Sequence, residues 1–333
     1  MRTIPKKIFF LLIILIISCT RSQKKEVITE NNNEIEYDQN SAKELIISFS
    51  SCDNQRRNNT LWKEILISNP DVFIWGGDIV YSDTYDMDKM RKNYLIQKND
   101  SVYLDFIKKV DVLGTWDDHD YGKNDAGEEY KMKDSVQQIF LDFFEVPIDD
   151  IRRTRKGVYF SKEYKTGENS VKVIVLDTRY FRTELTRDRA TKKRYKPNKY
   201  GEGTMLGKEQ WDWLKNELDQ TEADFNIIVS SIQFLSYEHG FETWGNFPHE
   251  VEKFDNLILD SGAKGVIILS GDRHIAEISS KNISGVNYPL IDFTASGMTH
   301  SYKSFSSEAN EYRVSDVISD KNFGILKFDF INN

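Results

Sequence analysis

Five short apolar runs between residues 45 and 271 each end in polar side chains, and this repetition constrains the fold more than any other feature. The clearest run is Val72–Trp75, which has no polar residue and is followed by Gly76, Gly77 and Asp78. A short, wholly apolar run bounded by glycines is typical of a strand that is buried on both faces. Open α/β sheets bind ligands at the carboxyl ends of such strands. The pattern therefore predicts a layered α/β fold with a functional site at one edge.

Predicted strands and helices alternate along most of the chain. Residues 45–51 read as a strand, residues 58–68 carry apolar side chains at helical spacing, and a second strand starts at Val72, which makes 45–76 a β-α-β unit. The same rules predict helices over 87–109, 133–145, 206–218 and 250–260, and strands over 110–115, 157–164, 171–176, 226–231, 265–270, 289–294 and 323–331. The pattern shows no internal repeat and no second linker, so residues 44–333 are predicted to form one domain.

The first residues have the pattern of an export signal. A basic start is followed by the apolar run 8–17, which is too short for a comfortable membrane span. Ser18-Cys19 then resembles the bacterial lipobox, so residues 1–19 are expected to be a signal peptide that ends in a lipidated Cys19. An ordinary cleaved signal is the alternative. Residues 20–43 are polar, as in a disordered tether. The prediction is a lipoprotein on the periplasmic side or the surface of the cell envelope.

The charge of the chain argues against general nucleic-acid binding, which depends on basic patches. The net charge is −8, and removal of Arg2, Lys6 and Lys7 with a signal peptide would make it −11. The exception is the stretch 179–199, which carries nine Lys and Arg residues. We expect a solvated surface loop there, with steering of anionic substrates as the alternative. The sequence leaves the oligomeric state open.

The side chains at the strand ends have the chemistry of metal ligands. They supply a thiol, a phenol, carboxylates, an amide and imidazoles, together with one guanidinium: Cys52, Asp78, Tyr81, Asp117, Asp118, His119, Asn124, Asp177, Arg179, Asp272 and His274. Turns favour Asp and Asn in any protein, but five successive strand ends of this kind predict a metal site. Thiolate and phenolate suit Fe(III), whereas carboxylate and amide oxygens suit Ca²⁺, Mg²⁺ or Mn²⁺.

Asp78 is the candidate carboxylate for bridging two ions. Such a pair orients a phosphate and lowers the pKa of a bound water, so that hydroxide forms near neutral pH. Arg179 is the candidate for a bidentate grip on phosphate oxygens.

These motifs resemble the PhoD (alkaline phosphatase D) family of the calcineurin-like metallophosphoesterase superfamily. The resemblance covers most of residues 45–300 and rests on Ser51-Cys52, Gly77–Tyr81, Trp116–Asp120 with Asn124, Leu176–Arg179 and Ser270–His274. It implies a four-layer αββα sandwich, in which mixed sheets are flanked by helices. It also implies a phosphomonoesterase or phosphodiesterase that uses Fe(III) with Ca²⁺, for which Mn²⁺, Mg²⁺ or Zn²⁺ are possible substitutes.

The resemblance implies a role for individual residues. Cys52, Asp78, Tyr81 and His274 would bind iron, Asp78, Asn124 and Asp272 would bind calcium, and Arg179 would hold phosphate. The superfamily pair of ligand and proton donor corresponds to Asp118-His119, which makes His119 either the general acid or a residue that supports the ligands.

Several residues keep two readings. The alternative for Asp117, Asp118 and Asp120 is that they only orient their loop, and His300, Gln233 and Glu277 either line the site or have structural roles. Packing is the expectation for the aromatic loop 236–249, with pocket cover as the alternative. Two other functions stay open: a phospholipase D-like diesterase that acts on lipid head groups, and a lipoprotein that only binds phosphate or glycans.

Overall fold

The computed structural model describes residues 34–35 and 44–330, which belong to one compact unit. Its strands are β1 (Glu34–Ile35), β2 (Glu44–Ser50), β3 (Val72–Gly76), β4 (Asp111–Thr115), β5 (Phe160–Thr166), β6 (Asn169–Val175), β7 (Phe225–Val229), β8 (Val266–Ser270), β9 (Ala276–Asn282), β10 (Pro289–Ala295) and β11 (Gly324–Asp329). Its helices are α1 (Leu61–Ile67), α2 (Met87–Lys98), α3 (Ser101–Ile107), α4 (Asp118–Tyr121), α5 (Lys133–Phe143), α6 (Gly207–Asp219) and α7 (Pro248–Ser261), with 3-10 turns at Ile151–Arg153 and Trp244–Asn246.

The strands form two mixed sheets. One has seven strands in the order β1-β5-β6-β7-β8-β10-β9, and the other has four in the order β11-β2-β3-β4. In the smaller sheet, β2, β3 and β4 are parallel and β11 is antiparallel to β2. In the larger sheet, β6, β7, β8 and β10 run parallel. Parallel strands end at the same edge, so this topology gathers the loops that follow them.

Three hydrophobic clusters show that the fold has four layers. The first lies between the smaller sheet and helices α1, α2, α3 and α5, and includes Trp62, whose ring centroid is 4.8 Å from that of Phe106. The second joins the larger sheet to α6 and α7. The third lies between the two sheets. In it, Ile47 and Ile74 of the smaller sheet pack with Val173 and Ile227 of the larger sheet. The predicted αββα sandwich is confirmed.

The apolar pattern located most of the elements within a few residues. It missed β9, because the sequence Ala-Glu-Ile-Ser-Ser-Lys-Asn has little apolar content and becomes a strand through antiparallel pairing with β10. It also missed the one-turn helix α4. The segment that was predicted to be a tether contains the two-residue strand β1, which pairs with β5.

The predicted surface loop at 179–199 is partly wrong. Arg179, Arg182, Leu185 and Tyr195 are buried, and the last two pack in the cluster beneath the larger sheet. The predicted signal peptide, Cys19 and the rest of the predicted tether lie outside the described residues. Within the described ranges, each helix is either too short or too polar to cross a bilayer.

Candidate metal centre

Loops from both sheets meet at the carboxyl ends of the strands. The loop after β4 brings Asp117 and Asp118 to Asp272, which follows β8, and one oxygen of each of these carboxyl groups lies within 4.8 Å of the others. The hydroxyl of Thr115 at the end of β4 donates a hydrogen bond of 2.7 Å to the carbonyl of Leu176 after β6, which ties the two sheets beside the site. The convergence that the sequence predicted is thus present, and it spans the gap between the sheets.

Four predicted metal ligands have left-handed backbone conformations. The φ angles are 64° at Cys52, 53° at Asp78, 67° at Asp272 and 56° at His274. Non-glycine residues seldom adopt positive φ, and such residues cost roughly 1–3 kcal/mol each and cluster at functional sites. Each of these four residues follows directly or closely after a parallel strand, where the turn aims its side chain at the neighbouring loops. The placement of these four side chains therefore lowers the stability of the fold.

Gly77 allows the loops after β3 and β4 to touch. Its φ is +97°, and a Cβ added there would lie 2.4 Å from Cβ of Asp117 and 2.8 Å from its backbone nitrogen. A side chain at position 77 would therefore push apart the two loops that carry Asp78 and Asp118. The space that the glycine leaves is filled by the backbone of the next loop.

Asp118 lies at the centre of the cluster. Three groups of potential ligand atoms, each within 4.8 Å of one another, all include Asp118: with Asp78 and His119, with Asp117 and Asp272, and with Asp125 and Glu242. Its Oδ2 accepts hydrogen bonds from Asn124 Nδ2 at 3.2 Å and from the Asp125 amide at 2.7 Å. Its Oδ1 is buried without a hydrogen-bond partner. The geometry makes Asp118 a candidate metal ligand as well as the predicted catalytic residue.

Asp78 adjoins Cys52 and the loop that carries His119. Its Oδ2 accepts a hydrogen bond of 3.6 Å from Cys52 Sγ, and its Oδ1 accepts one of 3.3 Å from the His119 amide. Burial raises the pKa of the Asp78 carboxyl, and Asp118, Asp120 and Asp272 add to the rise against the opposing effect of His119. Burial and Asp78 likewise raise the pKa of the Cys52 thiol.

Several buried polar atoms in this cluster have no hydrogen-bond partner of good geometry. They are Asp117 Oδ2, Asp118 Oδ1, Tyr81 Oη and His274 Nδ1. Buried polar groups are normally paired, and each exception needs an explanation such as an ion. Carboxylate, phenol and imidazole are all metal-ligating groups, and a cation would also offset the repulsion among the carboxylates. The donor set therefore fits metal ions.

His274 and His300 form one wall of the site. Their ring centroids are 4.4 Å apart, and the ring of His300 is 5.0 Å from that of Tyr81. Burial lowers the pKa of His274 to about 4, assisted by His119 and Arg273, so its imidazole is neutral and able to ligate near neutral pH. His300 is half-buried and its Nδ1 is 3.0 Å from Thr299 Oγ1. Its contacts with two candidate ligands favour the reading in which it lines the site, and its role in substrate binding stays a prediction.

His119 is held by Asp83, which the sequence did not single out. His119 Nδ1 is 2.6 Å from Asp83 Oδ2, and its Nε2 is 4.0 Å from Asp118 Oδ1. Burial lowers the pKa of His119, but the carboxylates of Asp78, Asp118 and Asp83 outweigh this effect and raise the pKa to about 11. A protonated imidazole with Nε2 towards the cluster suits a proton donor.

The guanidinium of Arg179, the predicted phosphate ligand, is bonded to two buried carboxylates. Its side chain is wholly buried, and Nε donates a 2.8 Å hydrogen bond to Asp117 Oδ1, to which Nη2 also donates. Nη1 donates to Glu242 Oε2 at 2.5 Å, and Glu242 also forms an ion pair of 2.8 Å with Arg182. All three guanidinium nitrogens are thus engaged by described residues. The structure therefore presents Arg179 as the group that orients Asp117, and not as a free phosphate ligand.

Asn124 and Asp272 lie at opposite depths of the cluster. Asn124 is exposed at the rim, where its amide side chain donates to Asp118 and its backbone donates to Asp83 Oδ1 at 3.0 Å. Asp272 lies deeper, and burial together with Asp118 raises its pKa to about 7. The proposed calcium role of both residues stays a prediction.

Two acidic residues near the cluster organise loops. Asp120 accepts hydrogen bonds from the amides of Asp117 at 2.6 Å and Ile79 at 3.0 Å. Asp177 accepts from Trp116 Nε1 and from the Arg179 amide, each at 2.9 Å. Because their oxygens are already bonded, these residues position the neighbouring loops.

Gln233 and Glu277 belong to a separate buried network. Gln233 donates to Glu277 Oε1 at 2.7 Å, and Glu277 is paired with Arg313. This favours the structural reading of both. Glu242, in the aromatic loop 236–249, was not singled out by the sequence, because its partner Arg179 lies 63 residues away.

Two facing mixed sheets, with outer helices and ligand-type side chains at the strand ends, define a layered α/β protein with a candidate metal centre between its sheets. A model of the PhoD-like phosphatase family matches residues 47–311. The chain belongs to the PhoD-like phosphatase family.

One curated relative is similar in sequence, and solved structures are similar in fold. Alkaline phosphatase D of Bacillus subtilis (strain 168) is 25% identical over 187 residues, which cover 51% of this chain and 32% of that protein. The chain thus spans about a third of the length of this curated relative. The solved structure of PhoD matches with a TM-score of 0.69 at 18% identity, over 87% of this chain and 65% of that one. GAP50, the anchor in the inner membrane complex of Plasmodium, matches with a TM-score of 0.52 at 11% identity, over 85% and 81%.

Proposed function

We propose that this protein is a metal-dependent phosphoesterase that hydrolyses phosphate monoesters, diesters or both. The observation that carries the proposal is a pair of ligand-type groups that share Asp118, one with Asp78 and His119 and one with Asp117 and Asp272, with buried oxygens of Asp117 and Asp118 that lack hydrogen-bond partners. Membership of the PhoD-like phosphatase family supports the same chemistry.

Two groups of side chains would hold the metal ions. Cys52, Asp78, Tyr81 and His274 form a set that contains a thiol and a phenol, which suits Fe(III). Asp78, Asp118 and Asp272, with Asn124 at the rim, form a set of oxygen ligands, which suits Ca²⁺ or another hard divalent cation. Metal ions bound there would orient the phosphate and activate water.

The remaining residues act on protons and positions. His119 would donate the proton at Nε2 to the leaving oxygen, while Asp83 holds its Nδ1 and thereby its ring orientation. Arg179 would fix Asp117 so that Oδ2 of that carboxylate is aimed into the cluster. His300 would line the substrate side of His274.

The test combines metal analysis with two chromogenic substrates. We expect purified protein to contain iron and calcium, to show a visible band from Fe(III) bound to thiolate and phenolate, and to hydrolyse 4-nitrophenyl phosphate or its bis-ester. Asp78→Ala should remove both metals and turnover, whereas Cys52→Ser should mainly reduce iron. Asp292→Asn replaces a buried carboxylate outside the cluster and should keep both. Full turnover in Asp78→Ala, or a colourless, metal-free and inactive wild-type protein, would contradict the proposal.

We further propose that the protein is exported and anchored to a membrane through lipidated Cys19. This rests on the basic start, the apolar run 8–17 and the Ser18-Cys19 pair. Labelling of cells with a fatty-acid analogue should mark the protein, and Cys19→Ala should abolish the label and release the protein from membranes. An unlabelled wild-type protein would exclude the anchor.

A further inference from the structure

A basic groove adjoins the metal centre. It has a volume of about 630 Å³ and is lined by Thr191, Lys192, Lys193, Arg194, His239 and Phe241. Residues 187–199 carry seven Lys and Arg side chains and one acid, Asp188, in a chain whose net charge is −8. The groove is thus the most concentrated positive feature of this stretch, and a field of this kind attracts anions.

The two lysines are available to a ligand. Lys192 and Lys193 are exposed, and neither forms an ion pair with a residue in the described ranges. Their backbone is nevertheless fixed, because the Lys193 amide donates to Thr191 Oγ1 at 3.1 Å and the side chain of Lys193 packs against Gly240. A pair of adjacent unpaired ammonium groups on an anchored turn suits a phosphate or a carboxylate.

His239 offers a further donor in the same groove. Its Nδ1 accepts a hydrogen bond of 3.0 Å from the Phe241 amide, so in the neutral imidazole the proton lies on Nε2. That Nε2 is buried and has no hydrogen bond of good geometry, although the Ser236 backbone lies close to the ring. An N–H without a well-aligned acceptor in a groove wall is a group to which an anionic oxygen would bond.

An ion pair connects the wall of the groove to the loop that contacts the candidate metal ligand Asp118. Arg194 Nη1 is 2.6 Å from Asp125 Oδ2, and the Asp125 amide donates to Asp118 Oδ2 at 2.7 Å. On the other side, the guanidinium of Arg273 lies 4.2 Å from the ring centroid of Phe241 and follows Asp272 directly in the chain. The wall of the groove and the candidate metal ligands are therefore linked by direct contacts on two sides.

We propose that this groove binds a second anionic group of the substrate, a phosphate or a carboxylate carried beyond the scissile ester. The inference rests on the proposed phosphoesterase function and names the substrate class of that site. Substrates with two separated anionic groups would bind more tightly than those with one, because Lys192, Lys193 and His239 meet the second group.

The test uses three sugar phosphates that differ at one end, with the metal-loaded full chain. Glucose 6-phosphate has one anionic group, 6-phosphogluconate adds a carboxylate, and glucose 1,6-bisphosphate adds a phosphate. We expect KM to be about five- to tenfold lower for the two-anion compounds at low salt, with the difference shrinking as salt screens it. The ranking of the two identifies whether phosphate or carboxylate is preferred.

Matched variants assign the effect to the groove. Lys192→Ala/Lys193→Ala should raise KM for both two-anion compounds towards that of glucose 6-phosphate. Lys196→Ala/Lys199→Ala removes the same charge from the same segment outside the groove lining and should keep the preference. Equal loss in both double variants, or equal KM for all three compounds in the wild type, would overturn the inference while leaving the phosphoesterase proposal intact.

Calorimetric binding of the same three compounds separates the two proposals. If the protein binds two-anion compounds more tightly but hydrolyses none of the three and neither 4-nitrophenyl phosphate nor its bis-ester, the groove stands and the proposed activity fails. Equal affinity for all three would remove the groove as a subsite, whatever the turnover.

Discussion

Two regions of the molecule bury carboxylates to a similar depth and treat them differently. Asp292 on β10 is 1% exposed and accepts hydrogen bonds from the amides of Phe234 and Leu235, each at 2.8 Å, and from Ser270 Oγ at 2.6 Å. Asp118 is 2% exposed, yet its Oδ1 has no hydrogen-bond partner. Burial alone therefore does not mark a functional acid. What distinguishes Asp118 is that its unsatisfied oxygen lies in a group of ligand-type side chains whose donor atoms are within 4.8 Å of one another.

The largest expected effect is the loss of turnover on substitution of Asp118. Asp118→Asn keeps the shape of the side chain but removes a negative charge shared by all three candidate ligand groups. We expect turnover of 4-nitrophenyl phosphate to fall at least about a thousandfold with loss of bound metal, as for removal of a central electrostatic group. Asp292→Asn should change turnover less than about threefold. Similar losses in both variants would erase the distinction between the two regions.

Arg179 tests how much of the cluster is held by ion pairs. Arg179→Met leaves Asp117 and Glu242 buried beside an apolar side chain, and breaking a buried pair in this way costs about 3–5 kcal/mol. Urea unfolding measures the loss. Arg189→Met, an exposed change in the basic segment, should alter stability by less than about 0.5 kcal/mol. A loss below about 1 kcal/mol in Arg179→Met would show that Arg179 does not hold the cluster.

His119 separates proton donation from support of the ligands. As a general acid, His119→Asn should lower kcat by about a hundredfold for esters with poor leaving groups and much less for 4-nitrophenyl phosphate. A supporting role would lower both substrates to the same extent. The comparison of the two leaving groups, with metal content measured in parallel, decides between them.

The smallest expected effect concerns Asp292, whose titration should make the free energy of unfolding depend on pH. Burial raises the pKa of Asp292 to about 6, above its value of about 4 in an unfolded chain. Between these values the folded state keeps a proton that the unfolded state has released, so this group's contribution to stability falls as pH rises.

The size of this effect follows from the two pKa values. From pH 4.5 to pH 7 the free energy of unfolding should fall by about 2 kcal/mol more in the wild type than in Asp292→Asn. Urea unfolding of both proteins at the two pH values measures it. Parallel pH profiles would mean that Asp292 does not titrate in this range.

Local sequence patterns predict many of the strands and ligand-type residues, whereas the order of the strands depends on contacts between distant segments. The strands Val72–Gly76 and Val266–Ser270 are predictable because an apolar run bounded by glycine has few other uses. The identity of the ligand-type residues is also readable, since they follow directly after such strands. Strand order within each sheet is not, because it depends on which edges meet after collapse.

The supporting residues are the part that the sequence does not reveal. Asp83 and Glu242 matter through contacts with His119 and Arg179, at separations of 36 and 63 residues. Gly77 is visible as a glycine, but only the structure shows that Asp117 fills the space beside it. A role that exists only between distant segments has no local pattern to predict it.

The division of the site between two sheets has a consequence for the folding pathway. Asp118 arrives on the four-stranded sheet and Asp272 on the seven-stranded sheet, so a chain in which only one sheet has formed has no complete cluster. Domains of this size commonly fold through intermediates. The rate at which metal binding returns during refolding would then report the docking of the two sheets. The return of helical circular dichroism would report an earlier step.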